Sequence, residues 1–298
     1  MNPLDNTGLM FSLAILLGFL LPQLSSHTRS LVVLSMVVAM CLSLRQITFS
    51  KEEITQSLSG SLKAFLVNYG FQTGLMVGLA FLFVPNFDFF AGFIIMAAMP
   101  PAIMVIPFTF LFRGDVKTAL GGEVLSYLLA LGLTPAITLL LIGFQVNVIE
   151  ILKLSVLLII APLVISILLR RLPDSFFSPT RPILNLCFAL NTYTFIGLNQ
   201  RVLLTDFMTL LPVTITLFLK TFAISILVFA VSMRFGAPRE RAITYAFFSS
   251  YKNESMAATF ALVLVSAAAS LPAVIQVIYE ILFVIFFGWY LRRTPKSG

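Results

Sequence analysis

The chain has 298 residues, of which 59% are hydrophobic and only 10% are charged, and its mean hydropathy is +1.03. Soluble domains carry about 25% charged residues, so the composition excludes a soluble enzyme, a nucleic-acid-binding protein and a disordered chain. The apolar stretches are roughly 20 residues long and show no alternation, which indicates membrane-spanning helices. We attribute the net charge of +7 to cations retained on one side of the membrane.

Hydropathy and loop signals predict an all-α membrane protein with ten membrane-spanning helices joined by short connections. The predicted helices cover residues 7–22, 29–45, 60–84, 88–112, 116–143, 147–171, 180–200, 206–234, 239–267 and 270–292.

The distribution of lysine and arginine predicts the orientation of these helices. If the N-terminus is inside, thirteen of the 19 lysines and arginines lie in inner loops, and only Arg29 and Arg201 lie in outer loops. Because cytoplasmic loops are enriched in cations, we expect both termini to be cytoplasmic.

Ten helices divide into two halves of five, and an odd number per half gives the halves opposite orientations, as in the inverted repeats of secondary transporters. The fourth helix is interrupted by Met99-Pro100-Pro101-Ala102, and the ninth carries the polar run from Ser249 to Ser255. Interrupted helices at corresponding positions predict a substrate site. A proline kink together with a polar patch that faces a neighbouring helix is the alternative interpretation.

Five charged residues lie too deep in predicted spans to reach the interface, and they need partners or a function. Lys252 is the strongest candidate, because a helix broken beside it frees main-chain groups that bind ions. Asn253, Ser249, Ser250 and Tyr251 add polar groups to the same run. A buried Lys–Glu pair that only joins two helices is the alternative, and for Lys220 we favour such a pair. The five residues are Glu123, Lys220, Lys252, Glu254 and Glu280.

Several segments resemble the bile acid–sodium symporter (BASS) family, bacterial branch, over nearly the whole chain. The resemblance rests on four segments. A basic-Gly-Asp-Val segment ends the fourth helix, a Thr-Pro pair lies near the end of the fifth, and a Pro followed by Leu-Leu-Arg-Arg closes the sixth. In the ninth helix the family has a Gln-Asn pair, of which this chain keeps the asparagine. The four segments are Arg113-Gly114-Asp115-Val116, Thr134-Pro135, Pro162 with Leu168-Leu169-Arg170-Arg171, and Lys252-Asn253.

The resemblance implies one transporter unit, 1–298, built of two inverted five-helix repeats with helices 4 and 9 broken and crossing. Helices 1, 2, 6 and 7 would form a panel domain, approximately 1–55 and 145–203. The remaining helices would form a core domain, approximately 56–144 and 204–298. The implied activity is transport of organic anions by alternating access, in a bacterial inner membrane.

The family's sodium-binding positions are altered in this chain. They fall on Val105, Ile106, Ala119, Glu123, Phe248 and Lys252, with a helix-3 glutamine position near Asn68 or Gln72. Hydrocarbon side chains cannot coordinate a cation that takes oxygen ligands, so the sodium sites look dismantled. Our hypothesis is that Lys252 serves as a fixed cation in place of sodium, with Glu123 as its counter-ion.

Substrate contacts are predicted at the two breaks and on helix 10, where the family places a His-Asn pair near the substrate. The predicted substrate-binding residues are Ala102, Asn253, Glu254, Tyr279 and Glu280, with Pro100 and Pro101 forming the helix break.

The sequence therefore predicts a sodium-independent secondary transporter of small organic anions or amphipathic acids, proton-coupled if Lys252 releases its proton and otherwise a uniporter or exchanger. We expect a small organic acid and the lipid bilayer as partners, and no cofactor, metal or nucleic acid. The sequence does not fix the oligomeric state, and a monomer is compatible with it. An efflux carrier of the auxin-carrier or arsenite-exporter type is an alternative, although Cys41 and Cys187 lie at neither break, as arsenite would require. A channel or an intramembrane enzyme would be an alternative of a different class. The enzyme is disfavoured because it needs a nucleophile–base or metal constellation, and His27 is the one histidine in the sequence.

Overall fold

The computed structural model describes residues 3–45, 57–143, 146–177 and 179–294, which are helical and contain no strand. Six of the helical runs are long and apolar enough to cross a membrane, namely α2, α3, α6, α7, α9 and α12. The helices are α1 (Thr7–Leu20), α2 (Pro22–Arg45), α3 (Leu58–Phe83), α4 (Phe87–Ala98), α5 (Val105–Leu111), α6 (Val116–Ile142), α7 (Val148–Leu169), α8 (Thr180–Thr205), α9 (Met208–Arg234), α10 (Arg239–Phe248), α11 (Glu254–Leu264) and α12 (Ala268–Arg293).

The predicted ranges lie mainly on helix among the described residues, although 88–112 and 239–267 each contain a break. The largest difference is at the start of α2, which begins at Pro22, seven residues before the predicted start at 29. The end of α8 also differs. This helix continues to Thr205, five residues beyond the predicted end at 200. Its polar residues have partners on other helices, since the Asn199 amide donates to Ser270 Oγ (3.3 Å) and the Gln200 amide donates to the Phe19 carbonyl (3.3 Å). The predicted domain boundaries at 55/56 and 144/145, and Lys51 and Lys296 of the inner loops, lie outside the described residues.

Asparagine and aspartate side chains begin five of the helices by accepting a hydrogen bond from a main-chain N–H of the first turn. Such caps matter in a membrane because no water is present to satisfy those groups. The capping residues are Asn6, Asn86, Asp115, Asn147 and Asn253, with N···O distances of 2.9–3.2 Å. Asn253 differs from the other caps because it is buried, and its helix therefore starts inside the protein.

Three helices contain a π-helical turn, at Leu66–Gln72 in α3, Val156–Ile160 in α7 and Leu219–Ala223 in α9. Such turns occur frequently at functional sites, because they change the direction of side chains within a helix. Two of them carry buried polar side chains, Asn68 in α3 and Lys220 in α9.

The helices pack in two groups. Helix α8 packs against α1 and α2, and α7 packs against α2. In the second group α6 packs against α3 and α4, α11 packs against α4 and α12, and α10 packs against α9. Contacts of α6 with α7 and of α11 with α2 join the two groups.

Gly92 allows α4 to approach the start of α12 closely. A Cβ atom at this position would collide with the main-chain carbonyl of Ala269, whereas a Cβ at Gly78 in α3 would meet open space. We expect Gly92→Ala to destabilise the protein by about 1–3 kcal/mol, because backbone must move. Gly78→Ala is expected to be neutral or to stabilise by up to about 1 kcal/mol, since alanine favours helix.

Thermal unfolding of both variants in detergent, compared with the unmodified protein, measures this difference. Equal melting temperatures for Gly92→Ala and Gly78→Ala would contradict the close packing of α4 against α12.

Candidate functional site

Two interrupted helices meet in the interior. The first interruption separates α4 from α5 at residues 99–104, and the second separates α10 from α11 at residues 249–253. The main-chain N–H of Asn253 donates to the Pro100 carbonyl at 2.8 Å, so the two breaks are hydrogen-bonded to each other. Pro100 and Pro101 have no N–H to donate, which leaves the carbonyls of this segment available to other groups.

Lys252 lies at this junction and is completely buried. Its Nζ donates to Asn68 Oδ1 (2.8 Å), to the Met99 carbonyl (3.0 Å) and to Thr73 Oγ1 (3.1 Å). The same nitrogen lies 4.3 Å from the centre of the Tyr69 ring, a cation–π distance. Lys252 thus joins α3 to both breaks through neutral oxygen atoms and an aromatic face.

Three oxygen acceptors surround Lys252 Nζ, one for each N–H of an ammonium. The carbonyl oxygens of Asn68 and Met99 can only accept, and the Thr73 hydroxyl donates its own hydrogen to the Ala97 carbonyl at 2.8 Å. All three oxygens can therefore accept a hydrogen from Lys252. An ammonium supplies three N–H donors, whereas a neutral amine supplies two.

Asn68 organises this arrangement from the π-helical turn of α3. Its Nδ2 lies within hydrogen-bonding distance of Gln72 Oε1 (2.8 Å) and of the carbonyls of Phe248 (2.8 Å) and Tyr251 (3.0 Å). These acceptors fix the orientation of the amide group and direct Oδ1 at Lys252. The Asn68 amide in turn satisfies the Phe248 and Tyr251 carbonyls, which the end of α10 leaves without helical partners.

Asn253 occupies the other side of the junction. Its Oδ1 caps α11, and its Nδ2 donates to the Tyr127 hydroxyl of α6 at 2.9 Å. The Met40 sulfur of α2 lies 3.5 Å from the same nitrogen. Asn253 therefore connects the second break to α6 and to α2, one helix from each packing group.

Glu123 is not the counter-ion of Lys252. It is buried on α6, and among the described residues neither of its carboxylate oxygens has a hydrogen-bond partner. The three donors of Lys252 are all occupied by Asn68, Thr73 and Met99, so no donor remains for a carboxylate. The neutral oxygens of α3 and the first break replace the expected ion pair.

The altered sodium-binding positions converge in space. Val105, Ala119 and Phe248 are fully buried in one hydrophobic cluster, and Ile106 packs against that cluster. Gly122, beside Glu123, lies against the Phe248 ring and Ala64. Hydrocarbon fills this region of the described structure.

The other residues predicted at the second break have separate contacts. The Ser249 hydroxyl donates to the Ala246 carbonyl at 2.8 Å, and the Ser250 hydroxyl is buried with no partner among the described atoms. The Tyr251 hydroxyl donates to the main-chain carbonyl of Glu280 on α12 at 2.6 Å. In the first break, Ala102 is partly exposed and accepts a bond from the Val105 N–H at 2.9 Å.

The carboxylates predicted to bind substrate form a second polar group. Lys220 Nζ lies 3.4 Å from Glu254 Oε1, which agrees with the ion pair expected for Lys220. The side chains of Glu254 and Glu280 also lie close to each other. Tyr279 is directed to the rings of Phe218 and Phe222 instead. The structure thus separates the predicted substrate residues between the junction and this group.

Sequence reasoning missed Tyr69, Thr73, Tyr127 and the Met99 carbonyl. Thr73 and Tyr69 reach Lys252 because the π-helical turn changes the angular spacing of the residues after Asn68, and a regular helical projection does not anticipate this. Tyr127 follows Glu123 by four residues, which places both on one face of α6. That spacing was the available signal for Tyr127.

The Arg113–Val116 segment connects α5 to the start of α10. Asp115 caps α6, since its carboxylate accepts from the Thr118 N–H (3.0 Å) and hydroxyl (2.8 Å), and Arg241 Nε donates to it at 3.1 Å. The Asp115 N–H donates to the Glu240 carbonyl at 3.0 Å. Asp115 therefore holds the ends of the two interrupted helices together outside the spans.

The model of the Sodium Bile acid symporter family matches residues 30–210, more than half of the chain. This chain belongs to the sodium bile acid symporter family. No individual curated protein matches it. Members of this family are membrane transporters, so the chain is a multi-pass membrane transport protein. The matched range includes α3 and the first break, and the second break with Lys252 follows it.

We expect the Asp115 contacts to give a pH-dependent contribution to stability. Burial raises the pKa of Asp115, but the Thr118 amide and hydroxyl and the Arg241 guanidinium outweigh burial and hold the pKa below its usual range. The contribution is therefore complete above the unfolded pKa of about 3.9 and is lost as the pH falls through the lower folded value.

Asp115→Ala should cost about 1–2 kcal/mol at neutral pH, because it removes a helix cap and a partly exposed ion pair. Asp115→Asn keeps a capping oxygen and should cost less. Thermal melts in detergent between pH 3 and pH 7 measure both. Unchanged acid sensitivity in Asp115→Asn would show that this carboxylate does not contribute as described.

Proposed function

We propose that this chain is a secondary active transporter of small organic anions or amphipathic acids, and that it works by alternating access without sodium. The observation that carries the proposal is the Lys252 ammonium, bound by three neutral oxygens where the two breaks meet. Oxygen ligands are those a hard cation takes. A covalently attached cation occupies this place, so a sodium ion is not needed there.

We further propose ten spans in two inverted repeats, with α4–α5 and α10–α11 each forming one broken span. The packing of α1, α2, α7 and α8 with one another supports a panel domain, and the remaining helices would form the core domain. The cation distribution supports cytoplasmic termini in a bacterial inner membrane.

The electrostatics of the junction favour an anionic substrate. Lys252 contacts neutral oxygens rather than a carboxylate among the described residues, so its charge is not cancelled locally. The N-terminus of α11 begins two residues later, and helix N-termini attract negative charge. We propose that Asn253 and Ala102 line the anion's path beside this positive region.

The first test compares thermal stability in sodium chloride and choline chloride. A cation that binds only the folded state raises stability by RT ln(1 + [L]/Kd). We expect sodium to leave the unmodified protein unchanged. We expect Lys252→Ala to be destabilised in choline, because three buried acceptors lose their donor, and to be partly restored by sodium entering the vacated space.

Two variants control this test. Lys252→Met fills most of the same space with hydrocarbon, so it should be destabilised without recovery in sodium. Lys63→Ala removes an exposed cation from α3 and should behave as the unmodified protein in both salts. If sodium stabilises the unmodified protein and not Lys252→Ala, the chain is a sodium symporter and the proposal is wrong.

Transport itself is tested in proteoliposomes with radiolabelled taurocholate, a bile acid, as the probe anion. We expect uptake above protein-free liposomes, at the same rate whether the external salt is sodium or choline. Lys252→Ala in choline should lower the rate at least tenfold, which corresponds to about 1.4 kcal/mol. Uptake that requires an inward sodium gradient would overturn the sodium-independent mechanism, and no uptake of taurocholate or other organic acids would overturn the function.

A further inference from the structure

A second buried ammonium lies near the junction, and it faces two carboxyl groups. Lys220 is fully buried in the π-helical turn of α9, and its Nζ lies 3.4 Å from Oε1 of Glu254, the first residue of α11. The side chain of Glu254 lies close to that of Glu280 of α12, which also contacts Gln276 one turn earlier. The one ammonium group of Lys220 therefore lies near two carboxyl groups, those of Glu254 and Glu280.

The two acids leave one oxygen each without a donor. Glu254 Oε2 and Glu280 Oε1 are both inaccessible, and neither has a hydrogen-bond partner among the described residues. Two ionised carboxylates have no hydrogen to place between them, and they repel each other in a medium of low dielectric constant. A single proton on one of them would make the hydrogen bond between the acids and leave the group of three electrically neutral.

The neighbouring polar groups do not supply this hydrogen. Lys252 acts on Glu254 through its charge, but its N–H donors are used by α3 and the first break. The Tyr251 hydroxyl donates to the main-chain carbonyl of Glu280. Gln276 Nε2 donates to Thr221 Oγ1 at 2.9 Å, and its amide also acts on the Glu280 carboxylate, but no described group donates to Glu254 Oε2 or Glu280 Oε1. A proton carried by one of the acids would supply the missing hydrogen.

We propose that Glu254 and Glu280 share one exchangeable proton beside Lys220, and that this proton is the ion coupled to organic-anion transport. The coupling role rests on the proposed function, whereas the proton site does not. Glu254 belongs to α11 and Glu280 to α12, so a movement of α11 at the second break would separate the two acids and release the proton. A proton carried with a monovalent anion transfers no net charge.

Infrared spectroscopy of the purified protein tests the site without any substrate, because a protonated carboxylic acid has a carbonyl stretch that an ionised one lacks. Glu123, the other buried acid without a partner, is first replaced by Gln to remove its signal. In this background we expect one acid band that shifts in D₂O and disappears as the pH is raised. Adding Glu254→Gln or Glu280→Gln should abolish it, since either change leaves one acid paired with Lys220.

The matched control is Glu150→Gln in the same background, which replaces an exposed carboxylate of α7 and should leave the band unchanged. The proposal is overturned if Glu123→Gln shows no acid band, or if the band persists in Glu280→Gln. If the double variants do not fold, the pH titration of Glu123→Gln alone decides, because a band that never titrates excludes an exchangeable proton.

Thermal stability gives an independent measurement. Because the folded protein holds a proton that the unfolded chain releases at neutral pH, stability should fall as the pH rises, by about tenfold in the unfolding equilibrium constant per pH unit for one proton. In the Glu123→Gln background, Glu280→Gln places an amide N–H where the proton was, so its melting temperature should lose this dependence. Equal pH dependence in both proteins would contradict the shared proton.

The two proposals fail separately. An acid band that depends on both Glu254 and Glu280, in a protein that transports no organic acid, would retain the proton site and reject the transport function. Sodium-independent uptake by a protein without such a band would retain the function and reject the shared proton.

Discussion

A buried ammonium must find three acceptors, and much of the interior of this protein can be traced to that requirement at Lys252. In a regular helix the main-chain carbonyls accept hydrogen bonds from the same helix, so few oxygens inside a helical bundle are free to bind a cation. The first break exposes the Met99 carbonyl, and the π-helical turn of α3 places Asn68 and Thr73 on the same side. Broken and distorted helices are therefore what allow Lys252 to be buried.

A fixed cation differs from a bound sodium ion in one physical respect, since it cannot dissociate. In the proposed transporter Lys252 neutralises no carboxylate and cannot leave, so its contacts hold α3 and both breaks together throughout the cycle. The apolar cluster of Val105, Ala119 and Phe248 is consistent with this, because hydrocarbon stabilises a region in which no ion binds and unbinds. The driving force for alternation must then come from another group.

The sequence predicted the helices because their signals are local: the length of the apolar stretches and the loop signals between them. It also singled out Lys252, because a lysine in a polar run inside a span is costly to bury and is usually paired or functional. It did not predict the ligands of Lys252. Glu123 was chosen by charge, whereas the structure uses Asn68, Thr73 and a main-chain carbonyl, which depend on a π-helical turn and a long-range contact that sequence spacing does not show.

Lys220 and Lys252 represent two solutions to burying an ammonium, and they differ in their response to protons. The oxygens that accept from Lys252 are neutral and do not titrate, so these direct contacts carry the same charge at every pH. The two acids beside Lys220 can hold or release a proton, so the charge of that group varies. The second break carries one part of each group. Lys252 lies within the break, and Glu254, one of the two acids beside Lys220, is the first residue of α11. A constant charge and a variable charge on one movable segment provide what coupling requires: a structure that stays assembled, and a group whose change in charge favours one arrangement over the other.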